Sequence, residues 1–159
     1  TKVIFMSFKA EIKLLDDRIG VDPLFPLPAS ATSGSAGIDL RVCIDEPFVL
    51  KAGEQHTFGT GMAIYLKDPA YVGLALPRSS LGTKHGIVLG NWVGVIDADY
   101  QGELGICLWN RSKEDYTINV GERIAQYIVT AAIKPEFSFV KDFSDESERG
   151  EGGFGSSGK

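Results

Sequence analysis

Two carboxylates, Asp97 and Asp99, follow the short apolar stretch of Val95 and Ile96 and stand next to Tyr100. Apolar surroundings disfavour the charged form of a carboxylate and so make it a better proton acceptor. Asp97, which directly follows Ile96, is therefore a candidate general base for water, and Asp99 is its rival. The same spacing is equally typical of a β-turn in which Asx side chains bind the backbone. The segment alone leaves these interpretations open.

An arginine and two hydroxyl groups, Arg78, Ser79 and Ser80, come directly after a predicted strand. Backbone N–H groups and hydroxyls in such a loop bind phosphate oxygens, and a guanidinium adds a forked cation. A solvated turn is the plain alternative for the same residues. The segment therefore indicates an anion site only together with other evidence.

Two further segments place polar residues among apolar ones. Asp39, in residues 35–40, is either a solvated strand residue or an anion near a metal ion. Arg123 and Gln126 lie in residues 121–126 and are ambiguous in isolation.

The last segment, residues 144–159, is charged and then rich in glycine. Such a sequence cannot bury enough apolar surface to order itself, so a loose tail or a leftover linker is the plain interpretation. Its content also suits closure over a flat aromatic ring and a phosphate. The residues concerned are Arg149, Phe154, Ser156 and Ser157.

The elements that must position these residues are predicted to be short strands, because 19 glycines and 7 prolines interrupt the chain. Ile38, Leu40, Val42 and Ile44 alternate with polar residues, and Met62, Ile64 and Leu66 repeat the pattern. Further strands are predicted at residues 71–76, 103–109, 122–130 and 137–140, and turns at residues 51–53, 68–69 and 119–121. The predicted order is strand, turn, strand throughout.

Residues 122–134 are the exception, because they contain no Gly or Pro and place Ile124, Tyr127, Ile128 and Ala131 at helical spacing. We predict a strand because most of its apolar residues are β-branched or aromatic. An all-β neighbourhood also leaves a lone helix without a partner.

Length and composition limit the class of protein. The 159 residues suit one domain, and 43% hydrophobic residues exclude intrinsic disorder of the main body. A net charge of −5 argues against a nucleic-acid partner. Cys43 and Cys107 lie far apart with only two histidines, which excludes a structural zinc site. With no apolar run long enough for a membrane span, we expect a cytoplasmic protein with free thiols.

Five segments, taken in order, closely resemble the motifs of the homotrimeric deoxyuridine triphosphatases (dUTPases), particularly the bacterial ones. They are residues 35–40, 77–82, 94–103, 121–126 and 149–155, and the similarity runs from about residue 8 to the C-terminus. The resemblance implies an all-β, jelly-roll-like barrel that assembles as a homotrimer with three sites at subunit interfaces. It implies an N-terminal extension at residues 1–7 and a barrel domain at residues 8–143. Residues 144–159 would form an arm that closes over a neighbouring subunit's site.

The reaction implied by the resemblance is hydrolysis of dUTP to dUMP and pyrophosphate. This reaction keeps uracil out of DNA and supplies dUMP for dTMP synthesis. Mg²⁺ would be held by triphosphate oxygens and waters, with no direct protein ligand, which agrees with the absence of a dedicated cluster of metal-ligating residues in the sequence.

The resemblance also implies a role for each matching residue. Asp97 would deprotonate the water that attacks the α-phosphorus, and Asp39 would support the network of water and metal close by. Asn91 and the backbone of residues 95–97 would bind uracil in a tight hairpin, and Tyr100 would pack against deoxyribose. The phosphate-binding residues would be Arg78, Ser79, Ser80, Gln126, Arg149, Ser156 and Ser157, with Gly155 beside them in the arm and Phe154 stacked over uracil.

Gly105 departs from the bacterial pattern, in which a larger apolar residue usually adjoins the base hairpin, so it would contribute only its backbone. Two alternatives share the fold. One is a dCTP deaminase, or a bifunctional enzyme that also hydrolyses dUTP, and the other is a non-catalytic module that senses dUTP.

Overall fold

The computed structural model describes residues 8–153, and these residues form eleven strands and one short turn of π-helix. The π-helical turn covers Leu81–His85. The strands are β1 (Glu11–Leu14), β2 (Ile38–Arg41), β3 (Phe48–Leu50), β4 (Gln55–Gly59), β5 (Met62–Tyr65), β6 (Tyr71–Pro77), β7 (Ile87–Leu89), β8 (Gly94–Ile96), β9 (Gly105–Asn110), β10 (Tyr116–Ile118) and β11 (Arg123–Ala131).

The strands of the described residues pair only in antiparallel fashion. The largest sheet has the order β2-β11-β6-β8, and a second sheet has the order β4-β9-β7. Two pairs, β1 with β5 and β10 with β3, complete the set. The predicted all-β class is confirmed.

Alternating side chains of these strands supply the core. Leu40 of β2 and Ile106 and Leu108 of β9 are almost fully buried, as the alternation predicts. The buried amide of Asn110, at the end of β9, donates to the carbonyls of Leu50 and Glu114 at 3.0 and 2.8 Å. A buried polar group is thus satisfied within the core.

The ambiguous segment at residues 122–134 is the strand β11, so the strand prediction is confirmed. It pairs with β2 on one side and with β6 on the other, with an irregularity between Arg123 and Ala125. Both faces of this central strand are partly covered, which explains why apolar residues do not simply alternate along it. Ala125 and Tyr127 face the core, and Gln126 and Ile128 are half-buried on the other face.

The three predicted turns are confirmed by hydrogen bonds that close residues 51–54, 68–71 and 119–122. Gly121 adopts a left-handed conformation with φ of 69°, and a side chain there would meet the carbonyl oxygen of Leu24 at 2.6 Å. Glycine at this position therefore allows the turn into β11.

Three expectations about the elements are wrong. The π-helical turn interrupts the expected order of strands and turns, and β2 ends at Arg41 rather than continuing to residue 45. Residues 137–140 form no strand, and Phe137 and Phe139 are 75% and 98% exposed. The last strand ends at Ala131, and residues 133–143 run exposed beyond it. Their alternation is that of a strand, but no strand of the described residues pairs with them.

Candidate functional site

The turn before Asp97 connects two sheets. β7 pairs with β9, whereas β8 pairs with β6, so the tight hairpin predicted around residues 91–97 is not a paired hairpin. Trp92 adopts a left-handed conformation with φ of 64°, which is uncommon for a bulky residue and indicates local strain. Its N–H donates to Leu89, and its ring meets Trp109 edge-on. Asn91 is thereby held exposed at the tip of the turn.

Five predicted site residues line one cavity of about 240 Å³: Val95, Ile96, Asp97, Tyr100 and Gly105. Glu103 and Leu104 complete the lining and are not among the predicted residues. Sequence could have indicated them, because they directly precede Gly105 in the chain.

Hydrogen bonds fix the turn that carries this cavity. The backbone N–H of Tyr100 donates to the carbonyl of Asp97 at 3.2 Å, and its hydroxyl donates to the carbonyl of Glu103 at 3.0 Å. The Glu103 carboxylate in turn accepts the N–H of Gly61 at 2.8 Å. A side chain at Gly102 would collide with the Tyr100 ring, so glycine lets the ring lie flat against the backbone.

Asp97 itself is exposed, and its carboxylate accepts no hydrogen bond from residues 8–153. Val95 beside it is 64% exposed, so the apolar stretch does not desolvate the carboxylate in a single chain, contrary to our expectation. Asp97 also borders a second cavity, of about 460 Å³, together with Asp99, Lys67 and Lys134. Of the two candidate bases, only Asp97 lines the cavity beside Tyr100 within the described residues.

The other predicted polar residues meet at the opposite part of the same sheet. Asp39 Oδ1 lies 3.2 Å from Nε of Arg78, and Asp39 Oδ2 lies 3.2 Å from a terminal nitrogen of Arg123. Gln126 pairs with Asp39 across the strands, and its side-chain amide donates to the carbonyl of Pro77 at 3.0 Å. We call Asp39, Arg78 and Arg123 the arginine cluster. Arg123 was noted in the sequence without a role.

Ser79 and Ser80 begin the segment that follows Arg78, and both are exposed. The hydroxyl of Thr83 donates to the carbonyl of Ser79 at 2.7 Å, which holds the start of the π-helical turn. Both serine hydroxyls are therefore near the arginine cluster in sequence and accessible to a ligand.

The register of the sheet separates Asp97 from the arginine cluster. Asp39 of β2 lies opposite Gln126 of β11, which in turn lies opposite Leu76 of β6. On the other side of β6, Ile96 of β8 lies opposite Gly73, so Asp97 lies opposite Val72. Two strands lie between β2 and β8. At ordinary strand spacing the two positions are about 14 Å apart across the sheet and about 13 Å apart along it, or about 20 Å in all. Within one chain Asp39 is therefore not beside Asp97, so the expected proximity of the two carboxylates would have to arise between subunits.

The predicted residues of the arm are only partly described. Arg149 is exposed, and its Nε donates to the carbonyl of Gly152 at 2.7 Å. Phe154, Gly155, Ser156 and Ser157 lie outside the described residues, as do residues 1–7.

No group of three or more His, Cys, Asp or Glu side chains within residues 8–153 is placed to hold a metal ion. In the same part of the chain, no helix has the length and apolar character needed to cross a membrane.

Comparison with known proteins identifies the family. The sequence model of the dUTPase family matches residues 24–158. A relative from Psychrobacter sp. (strain PRwf-1), named deoxyuridine 5'-triphosphate nucleotidohydrolase, is 59% identical over 149 residues, which cover 94% of this chain and 97% of the relative. A relative of the same name from Escherichia coli O1:K1 / APEC is 53% identical and covers 97% and 99% of the two chains.

Solved structures agree with the sequence comparison. A mutant dUTPase of Staphylococcus bacteriophage 80alpha, solved with dUpNHpp, superposes with a TM-score of 0.77 at 29% identity and covers 96% of this chain and 100% of its own. A mutant dUTPase of phage phi11 of S. aureus, described with a structural Mg(II) ion, has a TM-score of 0.74 at 25% identity and covers 87% and 100%. The fold is that of the all-β nucleotidohydrolases. The chain belongs to the dUTPase family.

Proposed function

We propose that this chain hydrolyses dUTP to dUMP and pyrophosphate. Relatives that are 53–60% identical over nearly the whole chain and named for this reaction carry the proposal. The exposed carboxylate of Asp97, in a cavity of about 240 Å³ beside Tyr100, supports it. The enzyme would remove dUTP and supply dUMP in the cytoplasm.

The active form that we propose is a homotrimer with sites between subunits. A separation of about 20 Å between Asp97 and the arginine cluster is too long for one chain to hold both the attacking water and the phosphates. The exposed side chains of Ile133, Phe137, Phe139 and Phe143 also support assembly, because a monomer rarely leaves so many large apolar side chains in solvent. Residues 144–159 would then close over a neighbour's site.

Asp97 would act as the general base that orients and deprotonates water for attack on the α-phosphorus. Its carboxylate is free to accept, since no residue of the described chain donates to it. A positioned base contributes about 10²–10⁴-fold to the rate. Once a base, a sugar and a partner subunit cover Val95, Asp97 would lose the solvent that now surrounds it.

Substrate selection is proposed to lie in the turn that connects β7 and β8. The exposed amide of Asn91 and the backbone at residues 95–97 would bind the edge of uracil. Tyr100 would face the deoxyribose and leave no space for a 2′-hydroxyl. A wrong base would leave polar groups of the site unpaired, which strongly lowers kcat/KM for that nucleotide. Gly105 would offer only its backbone.

Arg78, Ser79, Ser80 and Gln126 would hold the phosphates, and Arg149, Ser156 and Ser157 of the arm would close on them while Phe154 stacks over uracil, next to Gly155. Mg²⁺, bound by triphosphate oxygens and waters, would neutralise phosphate charge. Both oxygens of Asp39 already contact guanidinium groups, so Asp39 does not fit a direct metal ligand.

The test is release of pyrophosphate from dUTP, dCTP, dTTP and UTP, measured in parallel with Mg²⁺ for the wild type and for Asp97→Asn. We expect release from dUTP alone, and a loss of at least about 100-fold in kcat with dUTP affinity retained in the variant. Activity on dCTP would indicate a bifunctional deaminase instead. Tight binding of dUTP without release would indicate a sensing module, and an unchanged rate in the variant would exclude Asp97 as the base.

A further inference from the structure

Asp39 forms a fork between two arginines that come from different strands. Its two carboxylate oxygens each lie 3.2 Å from a guanidinium nitrogen, one of Arg78 and one of Arg123. A terminal nitrogen of Arg78 also lies 3.4 Å from the carbonyl oxygen of Arg123. The carboxylate thus fixes both guanidinium groups relative to each other.

The cluster carries more positive than negative charge. Arg41 pairs with Arg123 across β2 and β11, and one of its terminal nitrogens donates to the carbonyl of Gly121 at 2.7 Å. Burial lowers the pKa of Arg41, and the nearby guanidinium of Arg123 lowers it further. Among the described residues, Asp39 is the carboxylate that forms ion pairs with this group. With Arg41 beside it, the arginine cluster belongs to a group of three guanidiniums and one carboxylate, which leaves two positive charges.

Such an arrangement suits a small anion with several oxygens. Arginine presents five N–H donors in a plane, and Asp39 occupies only part of this set on Arg78 and Arg123. The side chain of Arg123 is 47% exposed, so its remaining donors are open to a ligand. Arg78, at 21%, is less exposed and is held more firmly.

We propose that Arg123 is a further phosphate-binding residue, which binds the pyrophosphoryl end of the substrate beside Arg78, and that Asp39 is the positioning residue that orients both. This inference rests on the proposed function. Each oxygen of Asp39 keeps acceptor capacity beyond its one contact with arginine, so the positioning role is compatible with a hydrogen bond to water.

The first test is the binding of inorganic pyrophosphate to the whole protein by calorimetry, in EDTA, so that no divalent metal contributes. Arg123→Gln should raise the Kd at least about tenfold, which corresponds to about 1.4 kcal/mol. Arg123→Lys, which keeps the charge and loses the fork, should raise it by a smaller factor. The matched control is Arg111→Gln, which removes one positive charge from an exposed arginine outside the cluster and should change the Kd less than twofold.

An unchanged Kd in both Arg123 variants would overturn the proposal. Circular dichroism establishes whether each variant is folded. If Arg123→Gln does not fold, Arg123→Lys still tests the proposal. Binding of 2'-deoxyuridine, which has no phosphate, should be the same in all variants. A parallel loss of deoxyuridine binding would mean that Arg123 only maintains the structure.

The second test addresses Asp39 through a double-mutant cycle on kcat/KM for dUTP, with Asp39→Asn, Arg123→Gln and the double variant. If Asp39 acts through the arginines, Asp39→Asn should lower kcat/KM by a factor that is at least about fivefold smaller in the Arg123→Gln background than in the wild type. The alternative outcome is that the effects of the two substitutions on kcat/KM are strictly additive and that Asp39→Asn needs a higher Mg²⁺ concentration for half-maximal rate. That outcome would instead assign Asp39 to the network of water and metal.

The two proposals fail in different ways. If the wild type releases no pyrophosphate from dUTP but binds pyrophosphate through Arg123, the proposed function is wrong and the anion site remains. If the wild type hydrolyses dUTP while Arg123→Gln and Arg123→Lys bind pyrophosphate as the wild type does, only the further inference is wrong.

Discussion

Tyr127 carries a hydroxyl that is buried in the core and forms no hydrogen bond with any residue of the described chain. The residue is 3% exposed, and burial raises the pKa of its hydroxyl. Its ring lies over Gly73, where any side chain would collide with it. A buried polar group without a partner costs free energy that an apolar residue of the same shape avoids.

We therefore expect Tyr127→Phe to increase the free energy of unfolding by about 1 kcal/mol. The control is Tyr116→Phe, because the hydroxyl of Tyr116 donates to Glu122 at 2.7 Å and its loss should lower stability by about 1 kcal/mol. Urea unfolding of both variants at one protein concentration measures the two changes. A loss of stability in Tyr127→Phe would mean that the hydroxyl has a partner in the assembled protein.

At the same scale, local patterns indicated Asp97 and Arg78 as candidates for particular chemistry, and the family resemblance implied a role for Tyr100. It could not choose between Asp97 and Asp99, since the choice depends on which of two cavities each carboxylate lines. It also left Arg123 without a role. The contact with Asp39 joins residues that are 84 positions apart, and no local pattern reports it.

Among the elements, most strands and the three turns followed from alternation and from Gly and Pro. β11 was the difficult one, because a central strand covered on both faces has no clean period of two. The strand expected at residues 137–140 failed for a different reason. Its alternation of Phe137 and Phe139 is real, but both side chains are exposed, and a strand needs a neighbour as well as a pattern.

The segment after β11 allows two truncations to be compared. We expect a chain that ends at Asp142 to assemble as the wild type does and to lose most of its dUTP hydrolysis. It lacks the proposed closing arm, and of the exposed apolar residues after β11 it loses only Phe143. A chain that ends at Ala132 also loses the exposed apolar residues between Ile133 and Val140, and it should assemble poorly. Light scattering gives the mass of each, and pyrophosphate release gives the activity.

Dissociation of the chain that ends at Asp142 would assign assembly to the arm itself. Full activity in that chain would exclude the arm from the site. Normal assembly of the chain that ends at Ala132 would show that the apolar segment is not an interface.

On the scale of the whole molecule, composition and strand patterns predicted one all-β domain, and the described residues form that fold around one core. What a single sequence could not predict is the distance between the two groups of polar residues. That distance follows from the strand order β2-β11-β6-β8, because Asp39 lies on the edge strand β2 and Asp97 directly follows β8 at the opposite edge of the sheet. Strand order depends on long-range pairing, which local sequence patterns do not specify.

This strand order has a genetic consequence. If each site takes its base from one subunit and its arginines from another, a protein disabled by Asp97→Asn and one disabled by Arg78→Gln are defective in different halves of the site. Cells that express both variants should recover dUTP hydrolysis, because some mixed trimers combine the two intact halves, whereas cells with either variant alone should not. The two alleles would complement each other within a single gene, and failure of complementation with mixed trimers present would mean that each chain builds its own site.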